Sequence, residues 1–265
     1  MVSQVSSHIE PLGSNQDHCI TGDNKDYKYL IIMDGHGPGK CIITLKEMNW
    51  SVIIDKSSAK EILTAINREI LINCPSLKGD GATISIVKIY SDKIQVYWLG
   101  DSQVHLQVDG NYYKTNNHNT SNPDECARET KIVTLNDTFN VVSATGCTVK
   151  KGTYFMLSND DILTVSRSLG HNFVTYQQFE EMEIPLLPTS TFKILAATDG
   201  LYDMLYEEDP LNMYPEYKAE DFTNLAKMRW KQTWAIQNGP GVGDIFHQSF
   251  EQDMDDIAVI VYENA

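Results

Sequence analysis

Basic charge is scarce in this sequence: 21 Lys and Arg stand against 36 Asp and Glu, a net charge of −15 at pH 7. A duplex nucleic-acid binder needs a basic face to neutralise phosphates, so that partner class is not expected. Electrostatic docking on an anionic lipid surface is not expected either. No apolar run approaches the roughly 20 residues that span a bilayer. Residues 1–11 lack the basic-then-apolar pattern of a secretory signal. Cysteines are few and odd in number (Cys19, Cys41, Cys74, Cys126 and Cys147), and none falls in a C-x-x-C pair. That pattern suits neither a disulfide framework nor a structural zinc site, and the expected compartment is reducing, intracellular and cytoplasmic. Internal repeats and low-complexity linkers are also absent. With 42% hydrophobic and 22% charged residues, usage is that of an ordinary globular chain, and one domain over residues 1–265 is expected. The acid excess leaves two readings: a solvated surface, or carboxylates grouped around metal ions.

What is present is a succession of short apolar, β-branched runs. Strands are predicted over residues 29–33, 83–90, 94–99, 104–108, 139–143, 153–157, 192–197 and 257–262. Asp109-Gly110 is a hairpin signal. Ser58-Ala59-Lys60-Glu61 reads as a capping box. After it, Ile62, Leu63, Ile66, Ile70 and Leu71 keep a helical period to about Ile72, and Pro75 stops it. Helices are also predicted over residues 175–182 and 221–236. The sum is a mixed α/β chain rich in antiparallel sheet.

Three places share one grammar, an apolar run meeting aspartate: Met33-Asp34-Gly35-His36-Gly37, Thr198-Asp199-Gly200, and Asp255-Asp256 ahead of Ile257. A carboxylate at the end of a rigid strand is well placed to hold a hard divalent cation such as Mg²⁺ or Mn²⁺. Asp-Gly is also a common turn, and spacing alone does not bring the three sites together.

Further elements extend this pattern: Asn15-Gln16-Asp17, Gly81-Ala82-Thr83, Leu99-Gly100-Asp101-Ser102-Gln103, a segment from His118 to Pro123, Val165-Ser166-Arg167-Ser168-Leu169-Gly170, and Asp199-Gly200-Leu201-Tyr202-Asp203. In this order, and over nearly the whole chain, they resemble the motifs of the metal-dependent PPM-type (type 2C) serine/threonine protein phosphatases. The resemblance implies an α+β fold, a four-layer α-β-β-α sandwich of two antiparallel sheets flanked by helices. It implies two Mg²⁺ or Mn²⁺ ions per active site, bridged by Asp34. Asp199 and Asp255 would complete the shell of the first ion, and the Gly35 carbonyl would serve the second. Asp17 would hold metal-bound water, with Gln16 standing where many members have Glu. His36 becomes the candidate general acid for the departing Ser or Thr oxygen. A phosphoprotein substrate and a monomer are expected.

The chain departs from the pattern at named positions. Leu12 stands where members carry a phosphate-pairing arginine, and leucine cannot make a charge-assisted fork; Lys25 or Lys40 could substitute. Asn117 replaces an aspartate that supports a third metal, Gln103 replaces arginine, and His171 replaces aspartate. Arg167 is read as a packing residue and His171 as structural. Two functions stay open: an active metal-dependent phosphatase, or an impaired pseudophosphatase that binds and regulates.

Overall fold

The β-branched runs pair into antiparallel sheets in the computed structural model, which describes residues 3–128, 132–134, 140–142, 148–150, 153–156, 162–205, 207–237 and 245–264. Two sheets carry the fold. Their strands are β1 (Ser3–Glu10), β2 (His18–Asp23), β3 (Lys28–His36), β4 (Gly81–Ile89), β5 (Lys93–Leu99), β6 (Gln103–Val108), β7 (Asn111–Lys114), β8 (Glu180–Pro185), β9 (Phe192–Ala197) and β10 (Ile257–Asn264). One sheet has the order β1-β10-β9-β6-β7 and the other β8-β5-β4-β3-β2, with Leu169–Gly170 pairing onto the start of β4. The helices are α1 (Lys40–Glu47), α2 (Trp50–Ile53), α3 (Ala59–Asn73), α4 (Pro123–Arg128), α5 (Asp199–Tyr202), α6 (Pro210–Met213) and α7 (Ala219–Lys231).

The layering follows from the period of two along each strand. Leu30 and Ile32 of β3 face the other sheet and pack with Val104, Leu106, Ile194, Ala196, Ala258 and Ile260. Ile31 and Met33 face the opposite way, onto Ile42 and Leu45 of α1 and Ile62, Ile66 and Ile70 of α3. On the other outer face, Leu195, Val259 and Val261 pack beneath Phe222, Ala226 and Trp230 of α7. The result is the four-layer sandwich that the motifs implied.

Local signals hold where the side chains act alone. The Ser58 hydroxyl accepts the Glu61 N–H at 3.3 Å, so α3 starts where its cap lies. The Glu61 carboxylate, however, turns to the Ser57 N–H and hydroxyl at 3.1 and 2.6 Å, leaving the box half made. Asp109 and Gly110 take φ of 49° and 80°, the paired positive values of a type I′ hairpin between β6 and β7.

Two helix expectations are corrected. In place of a helix over 175–182, Glu180–Pro185 is strand β8, with Met182 opposite Val96 and Ile184 opposite Ile94. Met182 and Ile184 alternate onto the inter-sheet core, a pattern too short to separate from a helical one in sequence. The helix over 221–236 ends at Lys231, because Gln232 is extended and Thr233–Gln237 pairs with Ile245–Ser249. Trp234 belongs to that strand, and its indole N–H caps the helix by donating to the Arg229 carbonyl at 2.9 Å. Strands β1 and β2 carry too few apolar residues to signal themselves; β1 is an edge strand held by its pairing with β10. The strand expected over 139–143 is Asn140–Val142, while Phe139 and Ser143 lie outside the described residues. Among the described residues no helix is long and apolar enough to cross a membrane.

Candidate metal centre

Asp34 sits on the face of β3 that carries Leu30 and Ile32, so its carboxylate enters the edge of the gap between the sheets. Asp199 opens α5 two residues after β9 ends. Asp101 lies in the turn joining β5 to β6. These three elements bring one carboxylate oxygen from each of Asp34, Asp101 and Asp199 within 4.8 Å of one another. Asp17 is buried just ahead of β2, and its Oδ2 accepts the Thr198 hydroxyl at 2.5 Å. Thr198 Oγ1 in turn accepts the Ala258 N–H at 3.0 Å. One hydroxyl thus ties together Asp17, the end of β9 and the start of β10. Asp255 lies on the exposed rim beside this junction, and its Oδ1 accepts the Asp256 N–H at 2.8 Å.

Asp101 was not singled out as a ligand, although Gly100-Asp101 shows the same strand-then-aspartate grammar. Asp256 was also missed, and it is the anchor of the loop before β2. Its carboxylate accepts N–H groups from Leu12 at 2.9 Å, Gly13 at 2.7 Å and Gln16 at 2.8 Å, and the Ser14 hydroxyl at 3.3 Å. Gly200 is required because a Cβ there would stand 2.0 Å from the Asp256 carbonyl oxygen. That close approach sets Asp199 beside the Asp255-Asp256 pair.

Burial and mutual repulsion act in one direction across the cluster. Burial, then the charges of Asp199, Asp17, Asp255 and Asp101, hold the Asp34 carboxyl well above its usual range. Burial, then Asp101, Asp203, Asp255 and Asp17, do the same to Asp199. Asp17 rises to about 7, chiefly through burial, against the opposing hydrogen bond from Thr198. Asp101 is raised as well, mainly by burial, and Asp255 is raised chiefly because the protein packed around its carboxyl thins the water there, although part of the residue reaches the surface.

A family model described as Protein phosphatase 2C matches residues 3–214. The chain belongs to the protein phosphatase 2C family. Solved structures carry the same fold. A C. elegans sex-determining protein superposes with a TM-score of 0.66 at 15% identity, over 98% of this chain and 64% of that one. The chain therefore spans under two thirds of that protein. A serine/threonine phosphatase of S. agalactiae superposes at 0.60 with 17% identity, over 98% of this chain and 99% of that one. The catalytic domain of the serine/threonine phosphatase PstP, in complex with two manganese ions, superposes at 0.56 with 14% identity, over 98% and 97%. At these identities the likeness shows the fold. No curated protein sequence matches the chain.

The residues at this phosphatase-2C site fit divalent cations. The donors are hard carboxylate oxygens, and their mutual repulsion is the field a cation relieves. Gln16 adds a second sign. Its Nε2 donates to the Gly37 carbonyl at 3.0 Å, its own carbonyl accepts the Gly35 N–H at 3.3 Å, and its buried Oε1 has no hydrogen-bond partner. An acceptor left open beside Gly39, in the turn that follows His36, suits a water or ion there.

His36 does not stand alone. Its Nε2 meets Nε2 of the fully buried His171 at 2.5 Å. Burial, then the neighbouring His171, lower the His36 imidazole to about 3. Leu12 packs against the core beneath α7, and the nearby Lys227 of that helix is paired with Glu10. Lys25 lies in the β2–β3 turn, six or more residues of strand and about 20 Å from Asp34, which excludes it as a substitute. Lys40 follows the His36–Gly39 turn directly, at the first position of α1. Arg167 is buried in an ion pair with Glu125 at 2.6 Å, as its packing role requires. His118 accepts the Gly100 N–H on Nδ1 at 3.0 Å, so its Nε2–H donates to Glu180 at 2.8 Å.

Proposed function

We propose that this protein hydrolyses phosphoserine and phosphothreonine in phosphoproteins as a metal-dependent phosphatase. The observation that carries the reading is the convergence of Asp34, Asp101 and Asp199 oxygens within 4.8 Å at the sheet edge. Asp34, Asp199, Asp255 and the Gly35 carbonyl are the ligands proposed for two Mg²⁺ or Mn²⁺ ions, with Asp101 added to the set. When bound, such a pair supplies an activated water at neutral pH and neutralises charge on the phosphoryl oxygens. The chain's own groups do the rest. Asp17 and Gln16 hold water in place through Oδ1 and Oε1. Asp256 fixes the loop that presents both. His36 hydrogen-bonds the departing Ser or Thr oxygen, where negative charge develops. Lys40 is the nearest cation in sequence to His36 and the remaining candidate to steer the phosphate.

One observation favours the second reading, a pseudophosphatase that binds without turnover: Leu12 is packed inward, and the arginine fork has no replacement at that position. Turnover of p-nitrophenyl phosphate and of a phosphothreonine peptide decides between them, measured with Mn²⁺, with chelator, and for Asp34→Ala. Metal-dependent turnover lost in Asp34→Ala supports the enzyme. Stoichiometric Mn²⁺ binding by calorimetry without turnover supports the binding module.

A further inference from the structure

We propose that His171 is a positioning residue: it holds His36 by Nε2 and leaves Nδ1–H as the donor that faces the substrate. The inference rests on the phosphatase reading above and on the geometry of the two rings. Their Nε2 atoms are 2.5 Å apart, their centroids 4.6 Å apart and their planes 21° apart. An imidazole nitrogen lies about 1.1 Å from its ring centroid, so rings meeting head to head at this contact have centroids about 4.7 Å apart. The observed separation matches that arrangement and not a face-to-face stack. The contact is a nearly in-plane N–H···N hydrogen bond, with one proton between two nitrogens. A neutral imidazole has one N–H, so the bond couples the tautomers. If His171 donates its Nε2–H, then His36 keeps its proton on Nδ1 and is a hydrogen-bond donor there. If His36 donates instead, its Nδ1 is an acceptor and cannot assist a departing alkoxide. Among the described residues no group hydrogen-bonds His36 Nδ1.

The backbone that presents His171 is unusual enough to need a reason. His171, Asn172 and Phe173 have φ of 48°, 51° and 61°, three successive non-glycine residues in the left-handed region, after Gly170 at 79°. Such outliers persist where the surroundings over-determine them. Here the His171 N–H donates to the Asp80 carbonyl at 2.8 Å, and Asn172 Oδ1 accepts the Leu77 N–H at 2.7 Å. Gly81 opposite leaves room for the ring, since a Cβ there would stand 2.4 Å from His171 Nε2. Asp80 also accepts the N–H groups of Lys40 and Cys41 at 2.9 and 3.1 Å, so the turn bearing His171 and the helix following His36 share one support.

The test uses the leaving group. A serine or threonine alkoxide needs a proton donor as it departs, whereas p-nitrophenolate leaves unaided. His171→Asn keeps a residue that tolerates the left-handed turn but is too short to reach His36. His171→Gln restores an amide N–H at the reach of Nε2. With saturating Mn²⁺, His171→Asn should lower kcat on a phosphothreonine peptide by about a hundredfold with KM nearly unchanged, and the loss on p-nitrophenyl phosphate should be about tenfold smaller or less. His171→Gln should recover most of the peptide activity. Equal losses on both esters, or no loss on either, overturn the positioning role while leaving the phosphatase reading intact. No turnover of either ester by the unmodified protein overturns both. If the asparagine variant does not fold, ¹⁵N signals of the imidazoles in the unmodified protein decide: a protonated Nδ1 on His36 is expected, and a protonated Nε2 refutes the assignment.

Discussion

The carboxylate cluster should make the metal-free protein less stable than a variant with one charge removed. Two full charges 4.8 Å apart, the limit for Asp34, Asp101 and Asp199, repel by about 3.5 kcal/mol at an effective dielectric near 20. Each member faces two such neighbours, and partial protonation relieves much of the sum. Asp199→Asn should therefore stabilise the metal-free fold by about 2 kcal/mol, or about 5 °C in Tm for a chain of this size. The assay is urea and thermal unfolding in chelator and in millimolar Mn²⁺. In chelator the variant should be the more stable protein. In Mn²⁺ the order should reverse, because the unmodified site gains binding energy on folding that the variant lacks. The pH dependence has a definite sign. Asp17 holds its proton up to about 7 when folded, well above its ordinary value of 3.8. Between those values the folded form binds the extra proton, so metal-free stability is fully present below about 4 and declines as pH rises through about 7. A variant less stable than the unmodified protein in chelator would refute the reasoning, since it would mean that the carboxylates are already compensated within the fold.

Asp256→Asn should destabilise the protein by about 1–3 kcal/mol, because an amide cannot accept from Leu12, Gly13 and Gln16 together. Mn²⁺ affinity measured by calorimetry should fall with it, as the loop holding Gln16 and Asp17 loosens. Gly200→Ala should lose more, with unfolded or weakly folded protein by circular dichroism, because its Cβ meets backbone oxygen at 2.0 Å. Glu125→Gln should cost about 3 kcal/mol in urea unfolding, since it removes the close, buried counter-charge of Arg167 and leaves only the half-exposed Glu180 at 3.9 Å. Despite its burial, hydrogen bonds from Arg128, Arg167 and Ser166 hold Glu125 down to about 2, so its stabilisation is present above about 4.5 and lost as pH falls through about 2. Leu12→Arg should lower KM for a phosphopeptide by about tenfold, the scale of a charge-assisted hydrogen bond, at some cost in Tm from lost packing; an unchanged KM would show that position 12 does not face the phosphate.

Much of the architecture was legible in the sequence because its signals are local. The short apolar, β-branched runs that became β3, β4, β5, β6, β9 and β10, the Ser58 cap and the Asp109-Gly110 turn each depend on neighbours within a few residues. Where segments compete for partners, local signals failed. Residues 180–185 joined a sheet because β5 offered an open edge, and Trp234 left the helix for a hairpin. The sequence by itself also determined which aspartates could be ligands, since residue type and the adjoining glycines are written in the chain. Only the tertiary structure decided which carboxylates converge. It added Asp101 to Asp34 and Asp199, gave Asp256 the loop to hold, and set His171 against His36 across 135 positions of chain. A side chain's chemistry is intrinsic, but its neighbours come from strand pairing and layer packing. Those depend on long-range register, which no local pattern carries.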